Sequence, residues 1–512
     1  MTKVLVRGRT VVRRVKDREA SELIPDGAVL VEGAEIAAVG PFEALRRAHP
    51  DAPVLGSERH IVLPGLVNAH HHVGLTPVQL GSLDEPLEMW AITRMAARTV
   101  DPYLDTLYSA FEMLESGVTT VQHIFAWVHR DIEAVRQRIE AILKAYEDVG
   151  MRVSFSVAVR DQNHSMLLSD EQMLAGVPAG LRPRLAARFA EFTVPLADQI
   201  ALFEDLYRFY DGHPLIAIQL APGNLHWCSD RALEDLQEAA ERHNVPLHIH
   251  LLETVYQKEY ARRRTGGTAL AHLDRFGMTG RHVTIGHGVW MNEEDIELAA
   301  DTGTHICHNC SSNLRLRSGI LPLNRLLRQG LNLALGIDEA GLNDDRDMLQ
   351  EMRLVLRLHR EPGMDGLFPS AHEVLRMATE GGAMTTPFAG SIGALEPGRQ
   401  ADLFLVDWSA LSAPFLDRRI GPVDGILNRA KAAHVEMVMV AGRPVVERGG
   451  VTSVDKPGML RELARSLAYD ADDAELSRIA FAGDLYEPVR DLYSNYIDPS
   501  RLRPFYAANS RR

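Results

Sequence analysis

The stretch Leu63-Pro64-Gly65-Leu66-Val67-Asn68-Ala69-His70-His71-His72 closes an apolar run with three consecutive histidines. Side chains on a strand alternate between faces, so His70 and His72 share one face. Two imidazoles at the mouth of a buried strand suit a divalent transition ion, and Pro64-Gly65 turns the chain sharply into that strand. An isolated HxH is equally consistent with a merely polar strand end, so the rest of the chain has to decide between the two.

Three later segments have the same build. Leu247-His248-Ile249-His250-Leu251-Leu252-Glu253 again puts two histidines on one strand face, with a carboxylate three residues on that suits a proton shuttle. Val283-Thr284-Ile285-Gly286-His287-Gly288 ends a β-branched strand in a histidine between glycines, which allow close approach of backbone or substrate. Leu331 to Ile337 runs into Asp338, and a buried aspartate needs a partner, of which a metal is the strongest.

Outward from these segments, residues 63–390 repeat apolar strand, loop and amphipathic helix. Strands are expected to end near His72, His123, Asp161, Pro222, His250, His287, His308 and Asp338, with helical text at 131–148, 229–243, 255–275 and 345–358. Eight such units predict a (β/α)8 TIM barrel, whose reactive residues sit at the C-terminal ends of the strands. Val-rich alternating segments at 3–13 and 28–39 have a related texture at 401–407 and 435–446. Residues 1–62 and 391–456 are therefore expected to form one small β-sandwich domain from both ends of the chain. Residues 457–512 form a helical, then aromatic extension with Tyr486, Tyr493, Tyr496 and Phe505, which caps the barrel or meets another subunit.

Composition narrows the class. The 512 residues carry 69 acidic against 55 basic side chains, a net charge of −14, which argues against nucleic acid as a partner. No apolar run approaches the roughly 20 residues of a membrane span, and charges interrupt the first residues, so a cytoplasmic location is expected. Three cysteines cannot build a disulfide framework, and Cys307 and Cys310 read as small residues beside a strand rather than half a zinc site. A zincin would need HExxH, which His372-Glu373-Val374-Leu375-Arg376 fails. The compact nucleobase deaminases need PCxxC after HxE, and no Pro-Cys comes after His434-Val435-Glu436.

The strings PGLVNAHHH, HIHLLE, IGHG, His308-Asn309-Cys310-Ser311-Ser312-Asn313-Leu314 and GID, with Gly393-Ala394-Leu395-Glu396-Pro397-Gly398-Arg399-Gln400-Ala401-Asp402-Leu403 after them, resemble the amidohydrolase superfamily. The closer likeness is to its branch of chlorotriazine hydrolases and heterocycle aminohydrolases, from about residue 3 to about 450. The resemblance implies that His70, His72, His250 and Asp338 bind one divalent ion, zinc or ferrous iron, whose bound water becomes the hydroxide nucleophile. Three imidazoles and a carboxylate suit either ion, and a water so bound ionises near neutral pH. It further implies that Asp338 takes or orients the water's proton, His287 polarises the attacked carbon's substituent or holds the water, and Glu253 delivers a proton to a ring nitrogen or leaving amine. Binuclear relatives bridge two ions with a carboxylated lysine. This chain has no lysine between Lys144 and Lys258 and offers Gln219 on strand four, which favours one ion.

Departures from the pattern bear on the substrate. Many relatives have Pro-His after strand four, where Pro222-Gly223-Asn224 stands here, which makes nucleosides less favoured. Glu339 after the metal aspartate either favours a cationic amidine or guanidine by charge pairing or turns outward to a helix. Gln79, Glu88, Trp90, His123, Asn224 and His226 are candidate wall residues for a flat, hydrogen-bonding heterocycle. The expectation is a metal-dependent hydrolase of a non-peptide C–N bond acting on a small molecule, most simply a deaminase of a heterocycle or cyclic amidine, assembled as a homo-oligomer. The alternatives are hydrolysis of an amide, urea or carbon–halogen bond by the same site, or a barrel scaffold that has lost activity.

Overall fold

The computed structural model describes residues 3–505 apart from Val73 and Trp127, together with Asn509. Four N-terminal strands, β1 (Lys3–Val15), β2 (Ser21–Glu32), β3 (Glu35–Pro41) and β4 (Val54–Pro64), lead into the central run. That run holds β5 (Leu66–His71), β6 (Val118–Phe125), β7 (Arg152–Val159), β8 (Ile216–Ile218) with its continuation β9 (Ala221–Pro222), β10 (Leu247–Leu251), β11 (Val283–His287), β12 (His305–His308) and β13 (Leu333–Leu335). The strands β14 (Leu403–Asp407), β15 (Val435–Val440), β16 (Arg443–Glu447) and β17 (Gly450–Val451) come last.

Strands β5 to β8 pair in parallel, as do β10 to β13. Parallel bridges Leu220–Leu247 and Asn224–His250 join the two arcs on one side, and His71–Asp338 joins them on the other. With β8 and β9 as one stave, eight parallel strands close the expected barrel. Helices between them start and stop on local signals. Ile132–Val149 is capped by the Asp131 carboxylate, which accepts from the Ala134 N–H, and ends at Gly150 in the left-handed region. Gly266, also left-handed, breaks the helical text at 255–275 into Val255–Thr265 and Ala269–Asp274.

The end-built sheet differs from the expected sandwich. Its eight strands form one continuous sheet in the order β17-β16-β15-β14-β4-β1-β2-β3. The join is β4, which pairs in parallel with β1 and antiparallel with β14, so strands from both ends share one hydrogen-bonded ladder. Alternation then assigns the two faces: Leu403 and Leu405 pack with Val6, Val29, Val62 and Met439, while Phe404 and Val406 join Leu66, Phe111 and Leu114 in the barrel's main core. Under this contact lies a buried ion pair. Both Asp402 carboxylate oxygens accept from Arg152 at the start of β7, at 2.9 and 3.0 Å, and Oδ1 also accepts from the Ala441 N–H at 2.7 Å.

The C-terminal extension caps the barrel mouth. Helices Lys456–Leu467 and Asp473–Tyr493 come after the sheet, and Phe481, Leu485, Val489, Tyr493 and Tyr496 pack with Met89, Ile92, Met166, Met173, Leu185 and Phe189 in a core of their own. Among the described residues no helix is long and apolar enough to cross a membrane.

Candidate active site

The barrel's C-terminal rim brings the separated histidines together. His72 Nε2 lies 3.1 Å from both His70 Nε2 and His250 Nε2, and 3.4 Å from Asp338 Oδ1. His287 Nε2 is 3.7 Å from Asp338 Oδ2 and 3.7 Å from Glu253 Oε2. The strand ends reach this geometry through unusual backbone. Leu252, His287 and Asp338 have φ of 54°, 71° and 64°, left-handed values that side-chain-bearing residues seldom adopt and that cluster at functional sites. Two glycines make room: a Cβ on Gly336 would sit 2.5 Å from His70 Cβ, and one on Gly286 would sit 3.1 Å from the His70 ring.

Each functional side chain is held from behind. His70 Nδ1 meets His248 Nε2 at 2.9 Å, so the second histidine of β10 supports a ring across the barrel. The Nδ1–H groups of His72 and His250 donate to the Ile124 and Gly223 carbonyls, at 2.7 and 2.9 Å. The short segment after β12 supplies three more partners. Asn313 Oδ1 lies 2.9 Å from His287 Nδ1, Asn309 Nδ2 lies 3.2 Å from its Nε2, and Ser312 Oγ donates to Asp338 Oδ2 at 2.7 Å. His71, on the opposite face of β5, reaches the Asp338 carbonyl and Ser109 instead.

Whether these residues fit a cation can be tested on their hydrogen bonds. His250 is held neutral by burial and by the neighbouring imidazoles. Its Nδ1 carries the proton given to Gly223, so its Nε2 is a lone pair, and the bond from His72 Nδ1 to Ile124 makes the same demand. Two imidazole lone pairs 3.1 Å apart, beside a carboxylate, repel unless a cation lies between them. The donor set fits a zinc-like ion. Burial, with Asp338 and Glu88 nearby, pushes the Glu253 carboxyl well above the usual range, so it can carry a proton near neutral pH. Burial also lowers the His287 pKa, against the pull of Asp338.

Above the rim is a cavity of about 210 Å³, lined by His72, His250, Glu253, His287 and Asp338 at its floor. Of the residues expected to form the wall, Trp90, Asn224 and Glu339 line it. Gln79 does not: it is exposed and closes a turn, Oε1 accepting from the Thr76 N–H and Nε2 donating to Tyr108. His123 lies inside the fold, its Nδ1 2.9 Å from the Tyr146 hydroxyl. His226 is buried against Trp227 outside the cavity, and Glu88 accepts from the Thr254 hydroxyl behind it. His123 lies within β6, Glu88 on the helix Leu87–Thr93 and His226 after β9, and all three side chains are buried in the fold and do not line the cavity. Sequence reasoning missed Arg94, Arg160, Met166, Phe189, Leu485 and Val489, which also line the cavity. Arg94 lies one helical turn beyond Trp90, a spacing that could have marked it.

Comparison with known proteins agrees with this architecture. A model described as "Amidohydrolase family" matches residues 61–445. The chain belongs to the amidohydrolase family. A second, short match at residues 27–52 is to an "Imidazolonepropionase-like composite domain, bacteria". Among relatives of this amidohydrolase, a 5-methylthioadenosine/S-adenosylhomocysteine deaminase of Syntrophobacter fumaroxidans is 33% identical over 82% of this chain and 88% of its own length. A zinc-bound adenosine deaminase from Xanthomonas campestris superimposes with a TM-score of 0.77, at 25% identity over 94% of this chain and 99% of that one. An atrazine chlorohydrolase from Arthrobacter aurescens, complexed with zinc, shares the fold at a TM-score of 0.77 and 22% identity, over 90% of this chain and 99% of that one.

Proposed function

We propose that this amidohydrolase is a metal-dependent aminohydrolase that cleaves an exocyclic C–N bond of a flat nitrogen heterocycle or cyclic amidine and releases ammonia or an amine. The observation that carries this reading is the cluster of His70, His72 and His250, with Asp338 Oδ1 3.4 Å from His72 and 3.8 Å from His70, and with His287 3.7 Å from both Asp338 and Glu253, beneath one cavity. The three imidazoles and Asp338 would hold a single divalent ion. Strand four carries Gln219, bonded to Ser154, where a bridging lysine would stand. When bound, the ion supplies Lewis acidity that ionises water near neutral pH.

The protein's own groups divide the proton work. Asp338 Oδ2, fixed by Ser312, accepts the proton of the attacking water, and its left-handed backbone aims the carboxylate across the mouth. Glu253, whose buried carboxyl is pushed well above the usual range, gives its proton to the ring nitrogen next to the attacked carbon; Asp338 then passes the water-derived proton to the leaving amine, and Glu253 recovers a proton from the new hydroxyl as the carbonyl forms. His287, neutral and held by Asn309 and Asn313, keeps the incoming water in line with that carbon. Trp90 and Trp227 give the cavity two flat faces on which an aromatic ring can lie. The three cysteines are free and buried, which suits a reducing compartment such as the cytoplasm.

The test is an ammonia-, amine- and chloride-release screen of the zinc-loaded protein against pterins, purines, pyrimidines, triazines and guanidino compounds. Adenosine-type nucleosides join the panel because the Syntrophobacter relative is named for them. Ammonia or amine release that disappears in E253Q supports the reading. Chloride release alone, or a metal-loaded protein inert across the panel, overturns it.

A further inference from the structure

The proposed reaction says nothing about what the ring carries beside its amidine, and the cavity wall holds two charged groups that bear on this. Arg94, at the start of the 3-10 turn Arg94–Ala96, is 7% exposed, and its Cζ lies 5.5 Å from the Trp90 ring centroid. Its Nε and Nη1 are buried without a hydrogen-bond partner. Glu339, next to Asp338, is half-buried with Oε2 unpartnered. Both line the cavity that contains Glu253, His287 and Asp338.

Of the other guanidiniums that line this cavity, Arg315 pairs with Asp84 and Asp344, and Arg160 donates to the Ala126 carbonyl over the Trp227 ring, whereas Arg94 Nε and Nη1 have neither an acidic nor a carbonyl partner. Arg94 and Glu339 form no ion pair with each other, and each keeps a buried polar atom without a partner. A desolvated cation and a desolvated carboxylate on the wall of one cavity are costly unless a ligand satisfies both. A purely cationic ligand group would answer Glu339 and be repelled by Arg94, and an anion would do the reverse. A neutral edge with a donor beside an acceptor answers both. In a planar heterocycle that edge is a lactam, a ring N–H next to an exocyclic carbonyl.

We propose that Arg94 and Glu339 form the binding site for the lactam edge of an oxo-substituted heterocycle, Arg94 donating to the exocyclic oxygen and Glu339 accepting from the adjacent ring N–H. The inference rests on the heterocycle reading above and narrows it from heterocycles in general to those with an amidine and a lactam in one ring system. Glu339 adjoins a group that acts on the reacting carbon, so the lactam must lie on the same ring system as the amidine and not on a distant arm.

The experiment compares matched pairs, 2-amino-4-oxopteridine against 2-aminopteridine and guanine against 2-aminopurine. Binding is measured by calorimetry on zinc-loaded full-length protein in an E253Q background, which prevents turnover during titration, with and without R94M, R94K or E339Q. A site built to hydrogen-bond a polar edge should bind the oxo member about 100-fold or more tightly. R94M and E339Q should each reduce that preference to below about tenfold while changing affinity for the deoxo member less than about threefold, and R94K should lie between. Equal binding of both members, a preference that survives R94M and E339Q, or equally strong dependence on both residues for a free α-amino acid overturns the proposal. Failure here is separable from failure of the parent reading. Oxo preference without ammonia release in the screen removes the reaction and leaves this site standing; ammonia release without oxo preference does the opposite.

Discussion

The floor and the roof of the cavity are built on opposite principles. At the floor, four strand ends contribute five polar groups, and each of the five is braced: His70 by His248, His72 by Ile124, His250 by Gly223, His287 by Asn313, Asp338 by Ser312. At the roof, the helix Asp473–Tyr493 contributes Leu485 and Val489, which touch Met, Ile and Phe side chains with no directional bond at all. The floor fixes positions to a fraction of an ångström, as proton transfer requires, whereas the roof only has to exclude water and accept a shape. A change at the floor should therefore fall on kcat and metal content, and a change at the roof on KM.

The largest break comes from a proposed metal ligand. Lewis acidity contributes several kcal/mol to such reactions, so H250A should lose stoichiometric zinc and lower kcat by about 1,000-fold or more, checked by metal analysis and ammonia release. E253Q tests the proton-moving role next. General acid–base groups contribute about 100- to 10,000-fold, so kcat should fall within that range with zinc content unchanged. The bracing is then tested by N313A and S312A, each expected to cost about 10- to 100-fold in kcat or zinc affinity, as outer partners of metal sites do. A roof substitution should look different in kind: L485A, at a fully buried position, should raise KM about tenfold, the equivalent of about 1.4 kcal/mol of lost contact, with kcat within about threefold. If L485A instead lowers kcat as much as N313A does, the division between floor and roof is wrong.

The same contrast explains what could be read from sequence. His70, His72, His250, His287 and Asp338 stand out because histidine and aspartate at the end of an apolar strand have few structural uses, and alternation fixes which of them share a face. The barrel was legible for a related reason, since eight strand-then-helix units over residues 63–390 leave few alternatives. The roof was not legible. Leu485, Val489, Met166 and Phe189 are apolar residues at helical spacing, indistinguishable in sequence from any core-facing stripe. His123 and His226 mislead in the opposite direction, because one residue of register along a strand or loop decides whether a ring faces the mouth or the core. The single folded sheet in place of a sandwich came from the same limit: alternation shows two faces but not which edges pair, and β4 joining β1 to β14 is a contact across some 340 residues of chain.

The finest test concerns the support beneath the bracing segment. Glu351, on the helix Met348–Leu358, is 2% exposed, accepts from the Ser311 N–H at 3.0 Å through Oε1 and leaves Oε2 buried without a partner. Burial pushes its pKa up to about 7 against the opposing hydrogen bonds. A carboxyl whose folded-state pKa lies above its unfolded value binds its proton more tightly when folded, so its favourable contribution is complete below about pH 4.5 and is lost as pH rises to about 7. Denaturation of the wild type should therefore show stability declining across that window, on top of whatever other groups contribute, and E351Q should remove that part of the slope. Ser311 sits between the residues that hold His287 and Asp338, so loosening it above pH 7 should also show as faster amide exchange in 309–313, with the roof helix unaffected. An E351Q profile that keeps the full slope would place the titration elsewhere and leave the bracing segment independent of pH.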